Sequence, residues 1–154
     1  MPTPVTLALD SLGIPYRTFT HPGPIASLEQ AAQERGQQPD QVIRSILFRA
    51  AKDEFVMVLV NGARQVAWPA LRKHLGQSRL TMANEQELLE ATTYEVGAVS
   101  PFGLPKPTRI LADEKIFEPE EISIGSGLRG TTVILRSADL KRALGEIEVG
   151  VFAT

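Results

Sequence analysis

An almost unbroken apolar run, FVMVLV (55–60), predicts a β-strand covered on both faces, because a strand with one wet face would alternate apolar and polar positions. Immediately before it, QVIRSILFRA (41–50) reads as a second strand, rich in β-branched and large apolar residues. Four shorter stretches carry a similar signature: YRTFT (16–20), TRILAD (108–113), EISIG (121–125) and TTVILR (131–136). Helices are predicted where caps and stops frame the remaining segments. Thr3-Pro4 opens one over VTLALDSL (5–12), with Gly13 as its stop. Ser27 and Gln30 form a capping box for LEQAAQER (28–35), which Gly36 closes. AWPALRKHLG (67–76) reads as helix after the turn signal Asn61-Gly62. Asn84 and Glu87 open EQELLEAT (85–92), and Ser137 caps ADLKRAL (138–144), which Gly145 ends.

Between these elements, TYEVGAVSPFGLPKP (93–107) holds Gly97, Pro101, Gly103, Pro105 and Pro107, more turn formers than a helix or strand interior tolerates. It predicts an irregular loop, of a length that in a compact domain is usually functional or disordered. The segment His21-Pro22-Gly23-Pro24 is a shorter loop. The six strands cluster in the middle and near the end without clean βαβ alternation. That predicts an α+β fold, a mixed or largely antiparallel sheet with helices packed around it.

Composition narrows the function. A chain of 154 residues, 43% hydrophobic and 22% charged, is ordinary for one globular domain spanning residues 1–154. There is no cysteine, which removes disulfides, thiolate metal sites and cysteine nucleophiles. The N-terminus lacks a basic segment and Asp10 interrupts its apolar stretch, so no signal peptide is read there. No run approaches a membrane span, and a cytoplasmic location is expected. The net charge of -2 argues against gripping nucleic acid by bulk electrostatics. Arg64, Arg72, Lys73, His74 and Arg79, and further on Arg129, Arg136, Lys141 and Arg142, read first as solvated surface. A partial basic face is the second reading.

Gly125, Gly127 and Gly130 spell G-x-G-x-x-G, the spacing of a dinucleotide-binding loop. That loop needs a helix after it, and TTVILR is dense in residues that favour strand instead. The glycines therefore predict a tight connection between two strands, where positive φ or close approach of a backbone or ligand is required. Nor is Gly125-Ser126-Gly127 a nucleophile elbow, which needs G-x-S-x-G. Of the two histidines, His74 reads as a surface residue. His21 is the better pocket candidate, and its simpler reading is a loop histidine with satisfied hydrogen bonds. Arg44 shares a strand face with Val42, Ile46 and Phe48, opposite Ile43, Ser45 and Leu47. A guanidinium among apolar neighbours faces a wet cavity, or else it snorkels to water or pairs with a carboxylate. The pattern leaves both readings open.

Three stretches together, VIRSILF (42–48), TYEVGAVSPFG (93–103) and ISIGSGLRG (122–130), resemble the YbaK family of aminoacyl-tRNA deacylases, which is similar to the editing domain inserted in bacterial prolyl-tRNA synthetases. The resemblance implies a mixed, largely antiparallel, barrel-like sheet with flanking helices. It implies a pocket that hydrolyses the ester joining a wrong amino acid to the 3′ end of tRNA, with aminoacyl-tRNA as partner and an aminoacyl-tRNA synthetase as a further one. The family's G-x-x-x-P loop falls on Gly97, Ala98, Val99, Ser100 and Pro101, and its glycine-rich turn on Gly125, Ser126 and Gly127. The chain departs from the family at Arg44, where members with deacylase activity carry lysine, and at Thr93, where glycine is frequent.

Arginine stays protonated and cannot be a general base, so Arg44 is expected to hold a phosphate or a 2′/3′ oxygen. The expected chemistry is attack by water or by a group of the substrate, with main-chain N–H groups of residues 97 to 100 stabilising the oxyanion at about 3 kcal/mol per donor. Ser45 and Ser100 would be positioning hydroxyls, and His21, Pro101 and the Gly125–Gly127 turn would help bind substrate. The scheme calls for no metal and no cofactor. Two alternatives stand beside it: a module that binds the aminoacyl end of tRNA or a protein partner without turnover, motivated by the Arg44 departure, and a hydrolase of some other small ester or amide.

Overall fold

The computed structural model describes residues 2–154. Five helices, α1 (Pro4–Ser11), α2 (Leu28–Glu34), α3 (Trp68–Leu75), α4 (Glu85–Thr92) and α5 (Ser137–Leu144), accompany eight strands. These are β1 (Arg17–Thr20), β2 (Ile43–Ala51), β3 (Glu54–Asn61), β4 (Thr81–Met82), β5 (Arg109–Asp113), β6 (Glu121–Gly125), β7 (Thr131–Arg136) and β8 (Glu148–Gly150). The predicted caps mostly form as read: Thr3, Ser27 and Asn84 each accept a backbone N–H three residues on. Ser137 does not cap. It is the first residue of α5, and its hydroxyl donates to the Glu120 carbonyl instead. The segment Pro39–Gln41 forms a 3-10 turn ahead of β2, so Gln41 lies outside the strand predicted to include it.

The strands make two sheets. An antiparallel sheet orders β1-β7-β6, and a mixed one orders β4-β2-β3-β5-β8, with β5 parallel to both β3 and β8. The α+β class and the mixed sheet are as predicted, whereas the division into two sheets, β4 and β8 are not in the sequence reading. As its apolar run requires, β3 is central and covered on both sides. Met57 and Leu59 face a core shared with α1, β6, β7 and α5, while Val56, Val58 and Val60 face a second core closed by Leu71 of α3. Each such fully buried side chain contributes about 1.5–3 kcal/mol through apolar burial. Arg64 belongs to neither basic surface: it pairs with Asp113, whose side chain is 0% exposed, and donates to the Ala153 carbonyl. No helix among the described residues is long and apolar enough to cross a membrane.

Candidate functional site

Strand β2 changes partners along its length. At Val42, just before it, an isolated parallel bridge joins Ser123 of β6, and at Phe48 and Arg49 it pairs with β4. Between those points the outer edge of residues 43–47 has no neighbouring strand, and a cavity of about 390 Å³ opens in the seam between the sheets. Its walls are residues 42–47, Met82, Ala83 and Leu88 beside α4, Val96, Gly97 and Val99 of the irregular loop, and Ile124, Gly125, Thr131 and Thr132 across the seam. A larger groove, about 760 Å³, flanks α4 on its Glu87–Ala91 side; its polar walls include the Arg49–Glu87 ion pair and none of the candidate site residues.

The irregular loop is fixed from behind. Tyr94, almost fully buried, donates its hydroxyl to the Phe102 carbonyl at 2.6 Å, and burial pushes that phenol up to about 12. Ser100 Oγ accepts from the Phe102 N–H, and the Ala98 carbonyl accepts from the Gly127 N–H at 3.0 Å. Gly125 backs directly onto this loop: a Cβ there would stand 2.0 Å from the Val99 carbonyl oxygen. The G-x-G-x-x-G spacing is thus a joint between two strands, with Gly127 at φ +86° and Gly130 at +83°. The Ala98 N–H is committed to the Glu95 carbonyl. Those of Gly97, Val99 and Ser100 meet no acceptor among the described residues, and Gly97 and Val99 line the cavity.

Two guanidinium groups also line it. Arg44 Nε donates to the Gly62 carbonyl at 2.8 Å and Nη2 to the Arg64 carbonyl, so the group docks on the turn after β3. It pairs with no carboxylate among the described residues, and burial pulls its pKa below the usual arginine value. Arg35 Nε donates to His21 Nε2 at 3.0 Å and Nη1 to Ser123 Oγ at 2.9 Å. Since Arg35 can only donate, His21 Nε2 accepts, which leaves the ring proton on Nδ1, 2.7 Å from Glu34 Oε1. Ser45 lines the same cavity, and its shielded Oγ has no hydrogen-bond partner among the described residues.

Of the residues picked from sequence, Arg44, Ser45, Gly97, Val99 and Gly125 meet at the cavity. Ala98, Ser100 and Pro101 are buried behind its wall. Gly127 packs on the Tyr94 ring, and Ser126 Oγ closes its own turn through the Leu128 and Thr131 carbonyls. His21 is 7% exposed and reaches the cavity only through Arg35. Arg35 itself was not singled out. A basic residue closing a helix reads as a partner for the helix dipole, and nothing local reveals that its side chain crosses to β6.

This seam, with an edge strand, a braced glycine-proline loop and uncompensated cations around one cleft, defines an editing-type domain. The chain belongs to the aminoacyl-tRNA editing domain family, whose model matches residues 22–143, as the YbaK resemblance implies. It is 29% identical over 109 residues to a proline–tRNA ligase of Thermosipho melanesiensis, covering 71% of this chain and 19% of that protein. The chain therefore spans about a fifth of the length of that ligase. It is 26% identical over 138 residues to the multifunctional Ser/Thr-tRNA deacylase ProXp-y of Escherichia coli, covering 87% of this chain and 82% of the relative. A crystal structure of a candidate trans-editing enzyme for prolyl-tRNA synthetase has the same fold, with a TM-score of 0.87, 23% identity, and coverage of 97% of this chain and 94% of that one.

Proposed function

We propose that the protein is a trans-editing hydrolase that cleaves the ester of mischarged aminoacyl-tRNA. The observation that carries this is the open N–H groups of Gly97 and Val99, held rigid on a cavity wall that also presents Arg44. Water, with or without assistance from a polar group of the substrate, attacks the acyl carbonyl carbon, and the proton it gives up passes on to the departing ribose oxygen. The carbonyl oxygen gathers negative charge opposite the amides of Gly97 and Val99, while Ala98 holds the loop in shape through Glu95 and Gly127. Collapse breaks the bond to the ribose oxygen, which takes up a proton and leaves with the tRNA. Arg44 fixes a phosphate or ribose oxygen through the donors its two carbonyls leave over, and the unpartnered Ser45 hydroxyl orients the acyl group. An aminoacyl-tRNA synthetase that supplies the mischarged tRNA is the fitting partner.

The test is incubation with a panel of mischarged tRNAs, expecting ester loss above buffer for at least one amino acid and its disappearance in Arg44→Ala. No loss across the panel refutes the hydrolase. A second reading, binding of the aminoacyl end without turnover, draws on the engagement of the Arg44 fork by two carbonyls. Tight binding of a non-hydrolysable aminoacyl-adenosine analogue together with an inert panel would establish it.

A further inference from the structure

We propose that Arg35 is a phosphate-binding cation at one end of the cavity, and that it takes the phosphodiester preceding the terminal nucleoside of the tRNA. The assignment rests on the reading of the cavity as the site for an acylated tRNA end. The guanidinium is half-buried and oriented on one side only, by His21 Nε2 and Ser123 Oγ. Both partners are neutral acceptors. Glu34, the nearest carboxylate in this network, is already bonded through one oxygen to His21 Nδ1 and through the other to Gln30 Nε2. Arg35 Nη2 and the second hydrogen of Nη1 therefore donate to nothing among the described residues. Glu34 acts on Arg35 through space without a hydrogen bond to it, so the half-buried guanidinium keeps open donors that an arriving anion can take.

The support is built, not incidental. Ser123, 0% exposed, accepts from Arg35 and donates to Gln37 Oε1 at 2.9 Å, so its hydroxyl is locked in the orientation that receives the guanidinium. His21 is locked in the tautomer that receives Nε. The cavity is polarised along β2. Arg35, Val42 and Arg44 stand at one end, where the Val42–Ser123 bridge closes the seam, and Leu47, Ala83 and Leu88 at the other. Those ends lie about 10 Å apart at the rise of an extended strand, and Gly97 and Val99, whose N–H groups have no acceptor among the described residues, line the same cavity. A phosphate at the Arg35 end leaves the ribose and its ester beside the amides and puts an apolar group at the far end. A fork with paired free donors matches a phosphate, and the diester of a nucleic-acid end is the source consistent with an acylated ribose.

Calorimetric titration of the intact protein with adenosine, AMP and cytidylyl-(3′→5′)-adenosine tests this. AMP and the dinucleotide should bind at least about tenfold tighter than adenosine, the worth of a charge-assisted hydrogen bond, and only that gain should fade with added salt. Arg35→Gln should bring both phosphorylated ligands to the affinity of adenosine, while Arg35→Lys, with charge but no fork, keeps part of the gain. Equal affinities of adenosine and AMP in the wild type overturn the proposal, as does a gain that survives Arg35→Gln. A gain for AMP that the dinucleotide lacks assigns the site to a free nucleotide and overturns the diester. Should Arg35→Gln not fold, Arg35→Lys decides, since a gain of full wild-type size there would assign the phosphate to Arg44 and overturn the proposal. Deacylation of mischarged tRNA is measured separately. An active enzyme indifferent to the phosphate sinks this inference alone, whereas a phosphate gain with an inert panel sinks the hydrolase reading.

Discussion

Adding a single methyl group at Gly125 tests whether the strand joint braces the loop that carries the open amides. The Gly125→Ala Cβ would sit 2.0 Å from the Val99 carbonyl oxygen, 2.8 Å from the Val99 carbonyl carbon and 2.9 Å from the Ala98 carbonyl oxygen. All three are backbone atoms and cannot rotate away. Restoring ordinary contact moves the 99–100 peptide by about 1.4 Å and the 98–99 peptide by less, or strains β6, or divides the displacement between them. Overpacking of this kind costs about 2 kcal/mol, which lowers Tm by about 4–8 °C in a chain of this size. A shift on this scale in the loop that carries the oxyanion donors should lower kcat/KM on a mischarged tRNA by about 100-fold at a temperature where the variant is still folded. The amide resonances of residues 97–100 should move with it.

Gly130→Ala supplies the control. That residue also has positive φ, +83°, but a Cβ there meets nothing within 4 Å. It should lose about 1 kcal/mol from backbone strain alone and keep its activity. A Gly125→Ala protein that melts lower yet deacylates at the wild-type rate would refute the bracing role. So would amide resonances that stay in place.

Three further outcomes follow, two from buried groups and one from an exposed helix end. Tyr94, raised to about 12 in the fold against 10.0 for the free phenol, stabilises the folded chain fully below pH 10. Denaturant titrations should show stability falling between about pH 10 and 12, a slope that Tyr94→Phe weakens while itself costing about 1 kcal/mol for the lost bond to Phe102. Asp113→Ala removes the acceptor of Arg64 and of the Phe152 and Ala153 N–H groups, and should cost about 3–5 kcal/mol by urea unfolding. Thr93, a β-branched residue held at φ +66°, occupies a left-handed helix end suited to glycine, so Thr93→Gly should gain about 1 kcal/mol in the same assay.

How much of this was legible depended on range. The two strands β2 and β3, though not their pairing as a hairpin, the caps at Thr3, Ser27 and Asn84, and the failure of the dinucleotide reading all rest on neighbours within a few residues, and these the pattern shows. Strands of two or three residues, such as Thr81–Met82 and Glu148–Gly150, have too few positions to show alternation and exist because a longer strand offers them an edge. The division of labour inside the site is likewise nonlocal. Gly125 and Ser126 look alike as small turn residues, yet one is pressed on Val99 and the other closes its own turn. Arg35 depends on Ser123, 88 residues away. Arg44 was visible as an anomaly, but the carbonyls that hold it come from a turn whose position only the folded hairpin fixes.

The arginine at position 44, where the YbaK resemblance implies lysine, has a physical reading within this chain. The turn after β3 brings the Gly62 and Arg64 carbonyls to one side of β2, where a planar fork satisfies both and a point charge on a flexible stem would not hold the same geometry. Fastened in this way, Arg44 cannot follow a substrate. It contributes a stationary charge and the few donors left over. Mobility is not needed if the second cation, Arg35, grips the incoming anion with its free side, and neither charge is cancelled by a bonded carboxylate. Arg44 and Arg35 thus bring two guanidinium groups, neither bonded to a carboxylate, to one cleft whose remaining walls are mainly apolar. If the proposed tRNA end enters this seam, these two local charges would recognise it without a basic face over the rest of the surface.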